Sequence, residues 1–397
     1  MRKRIAITGM GAVTPLGLGA DALFDGSLAG VCAVGADGFG RADGFEASDH
    51  LTKKDARRSD RYTQFALVAT LEAMTQAGWT EGLPTDSDRI GSLLGTGFGG
   101  VDTLGTQTVT LVRSGGVKPL AMALAMPNAA SGMVALKHGL HGPAHGVVSA
   151  GVAGSEAIGR AARLIAAGDA DAMVAGGSEA PLEGLTMALA ERAGVLSRSG
   201  VPRPFDVRRD GLVLGEAAGI VILEDHELAA GRGATIYGEV LGYGAAVDVT
   251  PDEGSGAALA IEAALRDACV EPERVRYVNA DGPSTRVGDR LETSAVKRAL
   301  GDHAMRIPVS STKGAIGHTL GGAGAIEAVV TAMALRRRMA PPTVGHERPD
   351  DGLDLNYVPG SAQPLPELGP GGGDDRAIAL SNSLGLGGHH AVLCLAA

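Results

Sequence analysis

Apolar runs typical of buried strands recur along the chain, and stretches with a helical apolar period lie between them. One helical stripe lies within Arg61–Gly78 and consists of Phe65, Val68, Ala69, Leu71 and Met74. Further predicted helices are Ala258–Val270, Leu291–Leu300 and Gly324–Arg338. The predicted strands are Arg4–Val13, 89–100 (which enters a glycine-rich turn), Ala172–Gly176, Gly219–Leu223, Ala234–Tyr243, Arg276–Asp281, 307–314, Ala377–Ser383 and 391–396.

The stretch Val147–Gly177 combines these patterns as a short strand, a sharp turn, a helix and a second strand. A strand-to-helix turn of this kind is where a nucleophile belongs, because it holds a side chain out of the sheet beside a helix N-terminus. The residue at this turn is Gly151, which has no side chain. The sequence therefore predicts a nucleophile's position without a nucleophile.

The order of strands and helices in the first part of the chain returns in the second part. This repetition predicts an α/β fold of two duplicated βα halves, residues 1–228 and 229–397, that form one compact unit with a seam near residues 225–250. Strands that alternate with helices predict mostly parallel sheets covered by helices. Ser361–Asp375, rich in Pro and Gly, is predicted to be a loop.

Composition supports a compact globular protein of small residues. The 397 residues include 61 Gly, and aromatic residues make up only 3%, which suits closely packed layers and tight turns. No apolar run reaches the roughly 18 residues that a membrane span needs. The basic and apolar N-terminus is too short for a signal peptide and lacks a cleavage site, so a cytoplasmic location is expected, with no membrane partner.

Charge and motif spacing exclude several kinds of site. The formal net charge of −10 argues against nucleic-acid binding, which needs a basic surface. The three cysteines, Cys32, Cys269 and Cys394, are too far apart for a zinc or disulfide motif. The glycine-rich turns lack the spacing of dinucleotide and phosphate loops. No metal or resident cofactor is expected.

Polar residues follow the strands of the second half. Asp281, Lys313, His318 and the turn Asn382–Gly388 all lie after predicted strands. Such turns converge outside the strand ends of an α/β sheet, where sites form. His318 is either a catalytic imidazole or a structural one that bonds the backbone, and the sequence leaves both open.

Several motifs together resemble the β-ketoacyl synthases of the thiolase-like fold, of the bacterial elongating condensing-enzyme type. The resemblance covers nearly the whole length of the chain. It is carried by segments in the family's order: Ile7–Gly17, Gly168–Glu179, Arg203–Gly219, "SSTKGAIGHTLGGAGA", Pro341–Pro359 and "NSLGLGG". It implies a layered αβαβα core.

The family's chemistry, carried over residue by residue, uses a Cys that accepts an acyl chain and two His that help decarboxylate a malonyl group. Gly151 stands at the Cys position and Asp281, in "VNADGPST", at the first His position. The second His and the supporting Lys are retained as His318 and Lys313, and Glu292 matches a family acidic position.

The flexible gate of the family, "GFGGTN", reads "GLGGHH" here. Leu386 therefore stands at the gating aromatic, and His389 and His390 follow the glycines.

The substitutions at the site lead to a functional hypothesis. Without a thiolate at Gly151, condensation by this chain alone is not expected, and an ionised Asp281 opposes charge development on an enolate. The chain then resembles a non-catalytic chain length factor, the ketosynthase β subunit of a type II polyketide synthase. This identity implies a heterodimer with a Cys-bearing ketosynthase α subunit, and an acyl carrier protein that supplies the phosphopantetheine arm.

Two alternatives remain open from the sequence. One is a noncanonical acyltransferase or malonyl decarboxylase of the same fold that uses His318, and the other is a homodimeric pseudoenzyme scaffold.

The resemblance also places two surfaces. The region Phe98–Asn128 lies at the family's dimer seam, where Leu104, Ala121, Ala123 and Ala125 either line an acyl tunnel or simply fill the interface. The basic cluster Lys53–Arg61 is either a docking patch for the acidic carrier protein or a solvated helix face.

Overall fold

A computed structural model describes residues 3–249, 254–367 and 376–397. The strands are β1 (Ile5–Thr14), β2 (Gly17–Leu18), β3 (Ile90–Thr96), β4 (Ala144–Val148), β5 (Ala172–Glu179), β6 (Ala217–Asp225), β7 (Gly238–Val247), β8 (Val275–Asn279), β9 (Val309–Ser310), β10 (Met339–Ala340), β11 (Gln363–Pro364), β12 (Ile378–Leu384) and β13 (His389–Ala396).

The helices lie mostly between the long strands. They are α1 (Ala20–Leu28), α2 (Ala47–His50), α3 (Lys53–Arg57), α4 (Arg61–Gln76), α5 (Val101–Ser114), α6 (Ala121–Ala125), α7 (Ala129–His138), α8 (Ala153–Ala167), α9 (Gly184–Arg192), α10 (His226–Gly231), α11 (Ser255–Ala268), α12 (Arg286–Leu300), α13 (Lys313–Ile316) and α14 (Ala323–Arg337).

The strand order reveals two matching halves. The order β4-β3-β5-β6-β1 in the first half corresponds to β9-β8-β12-β13-β7 in the second, position by position. A short pairing of Ala6 and Ile7 in β1 with Glu239 and Gly238 in β7 joins the two halves edge to edge. The duplication expected from the sequence is present in the strand order.

The expectation of mostly parallel sheets is wrong. β3 pairs in parallel with β4 and β5, and β8 pairs in parallel with β9 and β12, because helices cross over between these strands. The remaining pairs of long strands are antiparallel, including β5–β6 and β12–β13. The turn between β12 and β13 spans only residues 385–388, which is too short for a parallel crossover.

Helices and sheet halves alternate as five layers. α4 and α7 pack on the outer face of the first half, and α11 and α12 cover the second half. α8 and α14 pack against each other and against strands of both halves, in the central core. Every residue of α14 from Ala323 to Leu335 is buried, as a helix enclosed on all sides must be. The expected layered αβαβα core is thus confirmed.

Glycines allow the central layers to approach closely. A Cβ on Gly154 of α8 would lie 2.7 Å from the backbone N of Ala325 in α14. A Cβ on Gly219 of β6 would lie equally close to the backbone of the same helix. Contacts of this kind account for the high glycine content.

Several predicted boundaries were inaccurate. The strand predicted at Ala234–Tyr243 is β7, which begins and ends four residues later. The strand predicted at 307–314 is only β9, and Lys313 instead begins α13. Within the predicted loop Ser361–Asp375, Gln363–Pro364 forms β11, and residues 368–375 lie outside the described residues. Among the described helices, none is long and apolar enough to cross a membrane.

Candidate active site

Gly151 lies at the predicted strand-to-helix turn. β4 ends at Val148, a single 3₁₀ turn covers Ala150–Val152, and α8 begins at Ala153. Ala150 has a φ of 51°, a left-handed conformation that costs a non-glycine residue about 1–2 kcal/mol. The strain at Ala150 shows that the sharp turn is retained although residue 151 carries no side chain.

The space beside Gly151 faces an imidazole. A Cβ built on Gly151 would lie 3.3 Å from Cε1 and 3.6 Å from Nε2 of His318, and 3.8 Å from the Cα of Gly385. Gly151 is not in the left-handed region, so its backbone accepts an L-side chain. The structure therefore places residue 151 and His318 within contact distance, and a small side chain at residue 151 would fit only if the imidazole moved slightly.

His318 is held in one tautomer. Its Nδ1 accepts a hydrogen bond from the N–H of Leu320 at 3.0 Å, and its backbone bonds to both Val213 and Gly215. Burial, together with the positive charge of Lys313, lowers the pKa of His318 to about 3. The ring is therefore neutral at physiological pH, and its proton lies on Nε2, which faces residue 151 as a hydrogen-bond donor.

Lys313 joins two buried carboxyl groups behind the imidazole. Its Nζ lies 2.8 Å from Oδ1 of Asp281 and also donates to Oε1 of Glu327. Burial opposes the charged ammonium, but the interactions with Asp281 and Glu327 outweigh that effect and raise the pKa of Lys313. Burial raises the pKa of Glu327 to about 8, so Glu327 is mostly protonated at neutral pH. The Asp281 carboxylate is consequently balanced by one ammonium, and it does not act as the isolated negative charge expected from the sequence.

Glu292 fixes the turn that carries Asp281. Its carboxylate accepts the N–H groups of Asp281 (2.9 Å) and Gly282 (2.8 Å), and the amide of Asn382 at 3.1 Å. Burial and the nearby Asp281 charge raise the pKa of Glu292 to about 7. Glu292 links the turn after β8 to strand β12 near its C-terminal end, which supports the expected convergence of the strand ends.

An apolar cavity of about 470 Å³ opens at His318. The lining residues are Leu212, Asp248, Ala257, Pro283, Thr285, Val287, Gly288, Leu291, His318, Leu384, Gly385, Leu386, Gly387, Gly388 and His390. A largely apolar cavity with a few converging polar groups is the usual form of a small-molecule site.

The first predicted gate residue, Leu386, lies in the turn between β12 and β13 that borders this cavity, and the second, His389, is the first residue of β13. Leu386 lines the cavity with 59% of its side chain exposed, and His389 is exposed. The buried member of the histidine pair is His390, which the sequence reasoning did not single out as a site residue.

The predicted tunnel residues lie elsewhere. Leu104 in α5 is 55% exposed, and Ala121, Ala123 and Ala125 in α6 are partly or fully exposed. None of the four lines the cavity at His318. Their proposed role in a tunnel or dimer seam stays a prediction.

A second polar pair at the cavity was missed by sequence reasoning. Nε2 of His390 lies 2.8 Å from Oδ2 of Asp248, and both residues line the cavity. The only sequence sign was the His389–His390 departure after the gate glycines. Glu327 was missed too, because it occupies an ordinary position on an apolar helix.

No cysteine replaces the missing thiol at the cavity. Cys32 and Cys269 are exposed, Cys394 is buried, and none of them lines the cavity. Burial raises the pKa of Cys394 to about 12, so it stays a thiol. In the described part of the chain, no three His, Cys, Asp or Glu side chains form a metal-binding group.

Known proteins resemble the chain over its full length. The 3-oxoacyl-[acyl-carrier-protein] synthase 2 of Synechocystis sp. is 42% identical over 99% of this chain and 97% of its own. The crystal structure of a β-ketoacyl synthase from Burkholderia phymatum is 33% identical, covers 99% of both chains and has a TM-score of 0.90. The ishigamide ketosynthase/chain length factor is 28% identical, covers 100% of this chain and 99% of its own, and has a TM-score of 0.86.

The hypothesis of a non-catalytic chain length factor is wrong. A relative that is 42% identical over almost the whole chain is named for the synthase itself, whereas the chain length factor structure is a more distant neighbour. The type II polyketide, pseudoenzyme and heterodimer expectations depended on that hypothesis, and the named relatives do not support them. Gly151 and Asp281 alone favoured a chain length factor, whereas the sequence as a whole resembles that of the synthases.

Family models match both parts of the chain. The N-terminal domain of β-ketoacyl synthases matches residues 2–229, and the C-terminal domain of the same family matches residues 234–347. The duplicated strand order, the turn at Gly151 and the converging site turns agree with these matches. This chain belongs to the β-ketoacyl synthase family.

Proposed function

We propose that this chain catalyses carbon–carbon bond formation between thioesters carried by an acyl carrier protein, the chemistry for which its relatives are named. The observation that carries this proposal is the buried, neutral His318, which lines the apolar cavity and whose Nε2 would lie 3.6 Å from a Cβ on residue 151. A donor fixed at this place can bind a thioester carbonyl oxygen and stabilise the negative charge that develops on it.

The reaction must run without an acyl group on residue 151. A malonyl thioester loses CO₂ and leaves an enolate, whose oxygen accepts a hydrogen bond from His318. The enolate carbon attacks the carbonyl of a second bound thioester, a carbon–carbon bond forms, and the C–S bond of that thioester breaks. The leaving thiolate takes a proton from solvent. Because Gly151 has no side chain, residue 151 places no atom beyond its Cα between the second carbonyl and the imidazole.

The paired state of Asp281 favours this chemistry. Its carboxylate lies 2.8 Å from the Lys313 ammonium, so little uncompensated negative charge faces the enolate. The positive charge of Lys313 also helps to keep His318 neutral. The single ring proton then lies on Nε2, because Nδ1 accepts the hydrogen bond from Leu320.

Replacement of the donor tests the proposal. His318→Ala is expected to lower 3-oxoacyl product formation from acyl- and malonyl-loaded carrier protein by about 10²–10³-fold, the usual effect of removing one oxyanion donor. The matched control is His141→Ala, an exposed histidine outside the cavity, which is expected to retain activity. If the wild-type chain forms no product, or if His318→Ala forms as much as the wild type, the proposed function is contradicted.

The basic cluster provides a surface for the carrier protein. Lys53, Lys54, Arg57 and Arg58, here called the basic face, are exposed on and just after α3. The other end of the predicted cluster is not free, because Arg61 pairs with Glu216 at 2.7 Å. The basic face contrasts with the net charge of −10 and suits an acidic partner.

Charge reversal tests this docking surface. Lys53→Glu/Lys54→Glu is expected to weaken binding of the carrier protein about tenfold at low salt, and less at high salt, because screening reduces the attraction. The control, Arg198→Glu/Arg306→Glu, reverses the same charge at exposed positions elsewhere. Titration calorimetry or fluorescence anisotropy measures the difference. Equal loss in both variants would indicate a net-charge effect and not a docking face.

A further inference from the structure

We propose that His390 and Asp248 form a general-base dyad, with which the chain hydrolyses a thioester bound in the cavity at His318. This inference rests on the proposed function only because both place the bound thioester in the same cavity. It assigns a second activity, transfer of the acyl group to water, that needs no side chain at residue 151.

The geometry of the pair fits a base that is oriented by a carboxylate. His390 is 6% exposed, and its Nε2 lies 2.8 Å from Oδ2 of Asp248. Since a carboxylate only accepts hydrogen bonds, the proton of the neutral ring lies on Nε2. Nδ1 therefore carries a lone pair that can take a proton, while the carboxylate stabilises the imidazolium that results.

The free nitrogen of this ring has no partner among the described residues. Nδ1 of His390 is buried and makes no hydrogen bond there. A buried acceptor left without a donor costs about 1–3 kcal/mol, so the position favours a ligand or water that can donate to it. His390 lines the same cavity as His318, and the proposed hydrolysis places its water molecule at this nitrogen.

Asp248 is held firmly in place. Its carboxylate accepts the N–H of Gly256 at the start of α11, and its own N–H donates to the carbonyl oxygen of Gly388 at 2.9 Å. The dyad thus joins the N-terminal end of α11, strand β13 and the glycine turn that borders the cavity. A base fixed to three elements keeps its orientation when a thioester enters.

The hydrolysis balances with groups that the chain already contains. His390 Nδ1 takes a proton from water as the water oxygen attacks the thioester carbonyl carbon. His318 Nε2–H donates to the oxyanion that forms. The C–S bond then breaks, the sulfur takes the proton from His390, and the products are a carboxylic acid and a free thiol. Apart from the thioester and water, no oxidant, reductant or other substrate is required.

Two substitutions and one control test the dyad. His390→Gln keeps a side-chain donor for Asp248 but has no basic nitrogen, and Asp248→Asn keeps an oxygen that can accept the N–H of Gly256. The control is His141→Gln, an exposed histidine that does not line the cavity. The probes are octanoyl carrier protein and the octanoyl thioester of N-acetylcysteamine, without any malonyl thioester present.

Thiol release is followed with a chromogenic thiol reagent, and ¹⁸O-labelled water identifies the origin of the acid oxygen. The wild type and His141→Gln are expected to release thiol at equal rates, with one ¹⁸O in the octanoate. His390→Gln is expected to be slower by about 10²-fold or more, and Asp248→Asn by at least about tenfold.

The outcomes separate this inference from the proposed function. Hydrolysis at the wild-type rate in His390→Gln, or no thiol release by a wild type that still forms 3-oxoacyl product, overturns the dyad and leaves condensation intact. Hydrolysis that depends on His390 without any condensation supports the dyad and contradicts the proposed function. If the wild type neither condenses nor hydrolyses either probe, both are overturned.

Discussion

Gly151→Cys is expected to turn the chain into an enzyme that carries its acyl group covalently. The new thiol would stand between the end of β4 and the first turn of α8, beside the imidazole of His318. Octanoyl carrier protein should then transfer its acyl group to the thiol, and product formation should rise by on the order of 10²-fold or more. Restoration of a missing nucleophile usually changes rates by several orders of magnitude.

The local structure can accommodate this substitution. A Cβ at residue 151 would lie 3.3 Å from Cε1 of His318, which requires the imidazole to move by only a few tenths of an ångström. The backbone of residue 151 is outside the left-handed region, so no strain is added there. The N-terminus of α8, which begins two residues later, favours a thiolate, which is the reactive form.

Intact-mass spectrometry after incubation with octanoyl carrier protein measures the result. The expected product is one octanoyl group per chain, removed by hydroxylamine. Because Cys32 and Cys269 are exposed, the substitution is made in a Cys32→Ser/Cys269→Ser background. Gly151→Ala in the same background is the matched control, since it fills the space without adding a thiol. A Gly151→Cys protein that folds but gains no acyl group would show that residue 151 is not at the thioester site.

Much of the fold follows from the sequence because its elements are periodic and repeated. The stretch Val147–Gly177 carries enough strand and helix pattern to predict β4, the turn, α8 and β5 correctly. Strand direction was not predictable in the same way. Periodicity shows that a residue is in a strand but not the direction of its partner. A short connection, as between β12 and β13, requires antiparallel pairing, whereas β5 and β6 pair antiparallel across the long connection 180–216.

The candidate site was predicted by position, but its electrostatics were not. The sequence located Gly151, Asp281, Lys313 and His318, yet an aspartate at residue 281 indicated a repulsive charge. The structure instead pairs that carboxylate with Lys313 and places Glu327 on the other side of the ammonium. Glu327 is 14 residues from Lys313 and Asp281 is 32 residues away, so only the folded arrangement of α13, α14 and the turn after β8 could reveal the cluster.

The overall likeness of a chain and the identity of a few residues answer different questions. The packing of α8 and α14 between the two sheet halves depends on residues from much of the chain. The sequence identity to the synthases is measured over the same residues, so it reflects mainly this shared fold. A single side chain at residue 151 contributes almost nothing to that likeness but controls whether an acyl group can be covalently attached. Variants at residue 151 therefore test covalent attachment more directly than variants elsewhere in the chain.

Lys313→Met is expected to destabilise the protein strongly, because it leaves a buried carboxylate without a counter-charge. Lys313 is 3% exposed and lies between Asp281 and Glu327, each 1% exposed. Loss of one partner from a buried ion pair costs about 3–5 kcal/mol of the free energy of unfolding. Urea denaturation, followed by circular dichroism, should show a lower midpoint with an unchanged slope.

The pH dependence of this variant has a definite sign. Lys313 lowers the pKa of Glu327, so its removal raises that pKa further above about 8. The unfolded chain loses the same proton near pH 4, where an unperturbed glutamate titrates. The folded variant then binds more protons than the unfolded chain between these values, and its stability falls as the pH rises through that range. Denaturation at about pH 5 and pH 8 measures the difference.

Two further variants separate charge from packing. Lys313→Met/Asp281→Asn removes both charges of the buried pair and is expected to recover most of the lost stability, because no ion is left uncompensated. Lys297→Met breaks an ion pair with Asp354 whose side chains are 33% and 57% exposed, and it is expected to cost at most about 1 kcal/mol. If Lys313→Met costs no more than Lys297→Met, or if the double variant is as unstable as the single one, the buried pair does not hold these turns together.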